Sequence, residues 1–197
     1  MYLMYRIESN KKGWILLKHK LTKLFLLSSL ILALLITSAC SSSKPAPEVK
    51  NNPQPEVKTS EVVLYFADEQ AEYLVPEQRK VTMQKGESTA EAVIKALISG
   101  PQNKKLGITI PSGTKLLSVN IKENTAYVDF SQEIQSKHWG GSAGESMTIF
   151  SIVNSLTELK EIKQVQILIA GEKKDSLAGH LDISQPIARD AGLIKAK

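Results

Sequence analysis

Cysteine occurs once in the 197 residues, at Cys40, so no disulfide can cross-link the chain to itself. Histidine occurs three times, at His19, His138 and His180, and none sits in a metal-ligand spacing with a cysteine or another histidine. No G-x-S-x-G nucleophile elbow is present. The glycines Gly140, Gly141 and Gly144 lack the following Gly-Lys-Ser/Thr of a phosphate-binding loop. The uncharged run from Leu24 to Ala39 covers 16 residues and is interrupted by Ser28 and Ser29. A spanning helix needs roughly 20. The formal charge of +5 is also thinner than it looks. Six of the 25 basic residues and one of the 20 acidic residues lie in residues 1–39, leaving 19 of each for the rest. A body without net charge carries no electrostatic footprint for nucleic acid, and no nucleic-acid partner is expected.

What is present begins with order. A basic segment, the apolar run Leu24 to Ile36 and the small residues Ser38-Ala39 follow the layout of a secretory signal peptide over residues 1–39. Cys40 directly after those small residues resembles a bacterial lipobox, although Thr37 stands where such boxes usually carry leucine. The resemblance implies cleavage before Cys40, a diacylglyceryl group on its thiol and acylation, including palmitate, of the new amino terminus. It places the protein on the extracytoplasmic face of the cell membrane, with the lipid on Cys40 as its membrane attachment. Residues 40–60 hold four prolines and PEVK twice, at Pro47 to Lys50 and Pro55 to Lys58. Such a segment buries too little apolar surface to offset its chain entropy, and reads as a disordered linker.

Residues 61–197 have the length and composition of one folded domain. Glu61 to Phe66 is β-branched and aromatic, as a strand is. Leu74 to Met83 reads as two short extended pieces kinked at Pro76, since proline cannot donate to a ladder. Ser88-Thr89-Ala90-Glu91 is a capping box, and Ala90, Val93, Ile94, Leu97 and Ile98 form the apolar stripe of the helix it opens. Gly100-Pro101 stops that helix. Leu117, Val119 and Ile121 alternate with polar residues, as do Ala126, Val128 and Phe130. A two-residue loop at Glu123-Asn124 sets Ile121 against Ala126, Val119 against Val128 and Leu117 against Phe130. Ser142-Ala143-Gly144-Glu145 reads as a second capping box, opening a longer helix with Ile149, Ile152, Val153 and Leu156 inward. Gln164 to Ala170 reads as a buried strand, and Leu181 and Ile183 as a further edge piece. These elements predict an α+β fold, a mostly antiparallel sheet of about five strands packed with two helices.

Chemistry-bearing residues are scattered. His180 and Asp182 alternate on one extended segment and are the nearest approach to a metal pair. Asp129 and Glu133 are the nearest to a carboxylate pair for sugar hydrolysis, with Asp129 better suited to a local hydrogen bond at its strand end. The three glycines before the long helix offer a cup for an anion at its N-terminus. His138 and Trp139, in a glycine-flanked loop, are the best residues for recognition. No catalytic residue, metal or cofactor is expected; the body reads as a binding module rather than an enzyme.

Several segments together are similar to a GerMN domain, the sporulation and germination module of exported bacterial lipoproteins. They are Leu64 to Phe66, LVPEQRKV (Leu74 to Val81), LISGP (Leu97 to Pro101), IPSGTKLLSV (Ile110 to Val119), AYVDFS (Ala126 to Ser131) and VQILIAG (Val165 to Gly171). The founding type carries two such domains in tandem, whereas one is found here. The resemblance implies a small α/β fold and a part in envelope assembly during sporulation or germination, and brings no active site with it. The expected partners are an envelope protein or a second copy of the chain. The rival expectation is a peptidoglycan binder or weak wall hydrolase using Asp129, His138 and Trp139.

Overall fold

The computed structural model describes residues 58–196; Cys40, the signal segment and the linker as far as residue 57 lie outside the described residues. Two long antiparallel strands open this part, β1 (Lys58–Ala67) and β2 (Leu74–Met83). β1 starts within the stretch read as linker. β2 is one continuous strand rather than two pieces. Pro76 lies opposite Tyr65, whose amide donates to Ser155 Oγ at 3.0 Å instead of across the hairpin. The proline thus occupies a position where no ladder donor is needed, and the strand runs through it.

Helix α1 (Thr89–Ile98) follows with the capping box in place: Ser88 Oγ accepts from the Glu91 amide and Glu91 reaches back to the Ser88 amide. Gly100 ends it at φ +82, a left-handed conformation that glycine adopts without strain. Strands β3 (Leu116–Lys122) and β4 (Thr125–Phe130) form the expected hairpin. Both Glu123 and Asn124 have positive φ, 48° and 64°, as a type I′ turn requires. Ile121 does face Ala126 and Val119 faces Val128. Leu117 does not face Phe130. A bulge puts Leu116 there and turns Leu117 out to solvent.

A four-residue helix, α2 (Glu133–Ser136), precedes the long α3 (Ser142–Leu156), and β5 (Gln164–Ile169) and the short β6 (Ile187–Ala188) complete the fold. The edge strand is therefore Ile187–Ala188, not Leu181 and Ile183; Ile183 is instead a buried core residue.

Among the described residues there are two sheets, β1-β2 and β3-β4-β5-β6, six strands and three helices, where one sheet and two helices were expected. The larger sheet is mixed, because β5 runs parallel to β4. Chain reversal through α2 and α3 is what makes that pairing parallel, a crossover that strand periodicity cannot reveal. α1 packs on β1, β2 and β3, and α3 packs on β1, β5 and α1. Ile149, Ile152, Val153 and Leu156 of α3 join Leu64, Phe66, Val128, Phe130, Ile167 and Ile169 in one core. No helix of the described residues is long and apolar enough to cross a membrane.

Candidate functional site

The N-terminal end of α3 brings together Glu145, His138, Trp139 and His180 of the side chains singled out in the sequence. The second capping box is not formed. Gly141 is the N-cap, without a side-chain hydrogen bond, and Ser142 is already helical. Glu145 is instead fully buried and turned to a distant loop. Its Oε1 accepts from the amides of Leu177 and Ala178, both at 2.9 Å. Its Oε2 accepts from the His180 amide at 2.8 Å and from His180 Nδ1 at 3.0 Å. Burial alone would raise this carboxyl's pKa. The Ala178 and His180 amides, the His180 ring and the Leu177 amide outweigh it and hold the group below the ordinary glutamate value. A carboxylate in the first turn also meets the positive end of the helix dipole.

His138 lies against the same turn. Thr148 Oγ1 donates its single proton to the Thr109 carbonyl at 2.6 Å, so at 3.1 Å from His138 Nε2 it accepts, and Nε2 carries the ring proton. Nδ1 is buried without a partner among the described residues. Burial lowers the His138 pKa, and the charge of Glu145 opposes that shift only in part. Trp139 stacks on His138, ring centres 5.9 Å apart and planes 14° from parallel, and is 41% exposed. Gly144 makes the approach possible, because a Cβ there would stand 2.8 Å from the Trp139 carbonyl oxygen.

Asp129 joins none of this. Its Oδ1 accepts at 2.8 Å from the amide of Gly171, 42 residues on and just past the end of β5, rather than from a neighbour along its own strand. The carboxyl of Glu133 is lowered by hydrogen bonds from the Ser131 hydroxyl and its own amide, and no hydrogen bond ties it to Asp129. His180 and Asp182 also separate: His180 goes to Glu145, and Asp182 Oδ1 accepts from the Ser184 amide at 2.8 Å. Among the described residues no three histidine, cysteine or acidic side chains gather as metal ligands.

A second polar cluster escaped sequence reasoning. Arg189 Nη2 donates to Tyr65 Oη and Glu158 Oε1, each at 2.7 Å, while Tyr65 Oη donates to Glu158 Oε1 at 2.7 Å. The guanidinium also lies over the Tyr65 ring, 5.2 Å from its centre. Asn154 Nδ2 and Oδ1 bond the Asp190 carbonyl and amide, so the C-terminal segment is clamped to α3 and β1. A groove of about 420 Å³ beside this cluster is lined by Glu61, Gln78, Lys80, Ser155 and Glu158, of mixed charge. Contacts across 124 residues leave no local pattern to read. Glu145 did leave one, since it is the only charged residue from Ser142 to Thr157.

The arrangement defines a class of protein: a small α+β module whose buried polar groups hold loops to a helical centre. The chain belongs to the Germane family, described as sporulation and spore germination, whose profile matches residues 63–175. Among solved structures it is similar to the tandem GerMN domains of the sporulation protein GerM from Bacillus subtilis. That match has 25% identity and a TM-score of 0.55, covering 66% of this chain and 46% of that one. The chain thus matches less than half the length of the tandem structure. The first GerMN domain of the same protein aligns at 23% identity and TM-score 0.53, over 66% of this chain and 98% of that one. A Clostridium perfringens chain designated a lipoprotein aligns at 29% identity and TM-score 0.48, over 67% and 87%. No curated protein matches the sequence.

Proposed function

We propose that this protein is a lipid-anchored component of the cell envelope whose GerMN-type domain binds another envelope protein, without catalysis, during sporulation or spore germination. The observation that carries the binding reading is the use of the polar groups. Glu145, Asp129, His138 and Glu158 each hold a loop or terminal segment in place. Meanwhile edge strand β3 presents Leu117 and Ile121 to solvent, 53% and 41% exposed. An unpaired edge with apolar side chains suits addition of a partner's strand or of a second copy. The anchor rests on Cys40 directly after Ser38-Ala39. Detergent-phase partition of the wild type, lost in Cys40→Ala, supports the anchor; unchanged partition with an uncleaved signal removes it. Crosslinking in growing and sporulating cells, with a charged substitution at Leu117 as control, tests the partner.

One observation favours a second reading, a peptidoglycan binder. Trp139 is an exposed aromatic ring of the kind that stacks on sugars. Retention on purified peptidoglycan that disappears in Trp139→Ala supports it, and equal retention ends it. Hydrolysis fits less well, because Asp129 and His138 are held by separate partners.

A further inference from the structure

Two exposed apolar residues, Ile108 and Trp139, belong to loops that meet at one point. Thr148 joins them, donating to the Thr109 carbonyl and accepting from His138. Ile108 is 55% exposed, the highest value among the large exposed apolar side chains, and nothing described covers it or Trp139. Exposed lysines lie on the same loops: Lys104 and Lys105 ahead of Ile108, Lys115 after it, and Lys137 two residues before Trp139. Lys137 crosses to the other loop, its Nζ against Gly113. The nearby acidic groups do not cancel this collar. Glu133 faces Lys137 and Lys115 and offsets part of the charge, but it is the one acidic residue of these loops against four lysines, and Glu77 is taken by Arg79 and by the amides of Gln102 and Asn103. In a body with 19 basic and 19 acidic residues from Cys40 onward, the excess is local.

We propose that this face docks on the anionic surface of the membrane, Trp139 and Ile108 entering the headgroup region and the lysines pairing with lipid phosphates. A tryptophan has an apolar body and a polar N–H, and so prefers the interface. Lysine stems lie along apolar surface while their ammonium groups reach the phosphates. The inference rests on the lipid anchor in one respect, that the anchor brings the domain to the surface. Residues 41–57 extend to at most roughly 60 Å, against about 15 Å for the length of α1. Tethering keeps the face at high effective concentration, so weak docking suffices.

The experiment uses the full chain carrying Trp14→Phe, which leaves Trp139 as its only tryptophan. Protein is reconstituted on vesicles of phosphatidylglycerol or of phosphatidylcholine, containing lipids brominated just below the headgroup. On phosphatidylglycerol, Trp139 emission should fall by roughly half, and recover in about 0.5 M salt and in Lys104→Gln/Lys105→Gln/Lys137→Gln. Ile108→Ser should weaken the quenching with the circular dichroism unchanged. Vesicle-bound protein with unquenched Trp139 overturns docking while leaving the anchor standing. Quenching indifferent to salt, lysines and lipid charge also overturns it. An emission shift that grows with protein concentration without vesicles assigns the face to a second copy. Loss of Cys40 processing with quenching retained refutes the anchor alone.

Discussion

Glu145 shows how a single residue is set by its surroundings. Its four donors come from residues 177–180, so the carboxylate is what ties that loop to α3. Glu145→Ala leaves three amides unpaired and should cost about 2–4 kcal/mol, read as a lower urea midpoint. Gly144→Ala drives a methyl group into the Trp139 carbonyl and should cost on the order of 1–3 kcal/mol. The pH dependence has a definite sign. Folding depresses the pKa of His138 from 6.5 and of Glu145 from 4.5. Each contribution to stability is complete above those ordinary values. As pH falls below 6.5 the unfolded chain takes up a proton at His138 that the folded one resists, and stability declines. Below 4.5 Glu145 adds a second decline. In His138→Gln the first decline should vanish from a plot of unfolding free energy against pH, and the second should remain.

At the scale of elements, local chemistry decides some structures and fails on others of identical pattern. Ser88-x-x-Glu91 and Ser142-x-x-Glu145 are the same signature. The first forms because Glu91 is only half-buried and, among the described residues, bonds the Ser88 amide and hydroxyl. The second does not, because the buried Glu145 has four donors from elsewhere. Ser88→Ala should accordingly cost about 1 kcal/mol, whereas Ser142→Ala should leave the thermal midpoint almost unchanged. The β3–β4 turn was legible from a two-residue loop between alternating strands, but Glu123 is a poor occupant of φ 48°. Glu123→Asn should stabilise the protein by about 0.5 kcal/mol, measured by thermal unfolding. The bulge that expels Leu117 left no trace in the alternation, since one extra residue still reads as a strand.

For the whole molecule, the segment after the family match is part of the fold. The profile ends at Asp175, yet Leu177 and Ile183 are buried in the main core. Leu193 and Ile194 pack on the second cluster of Tyr65, Ala67, Leu74 and Met147. Leu74 bonds the Leu193 carbonyl and the Lys195 amide, and Lys195 pairs with Asp68. Deleting residues 187–197 should therefore expose that cluster, lower the urea midpoint and raise binding of an apolar dye.

What the sequence determined by itself is whatever depends on neighbours along the chain. That includes the α1 capping box, the apolar stripes of α1 and α3, the register of Val119 and Ile121 and the family. Periods of 2 and 3.6 and turn chemistry act within a few residues, so composition and spacing carry them. Tertiary structure alone decided the parallel pairing of β4 with β5 and the division into two sheets. It also decided the passage of β2 through Pro76, the partners of Glu145 and the Tyr65–Glu158–Arg189 cluster. Each depends on which distant segment arrives with matching donors or apolar surface, and that choice is made only when the whole core closes.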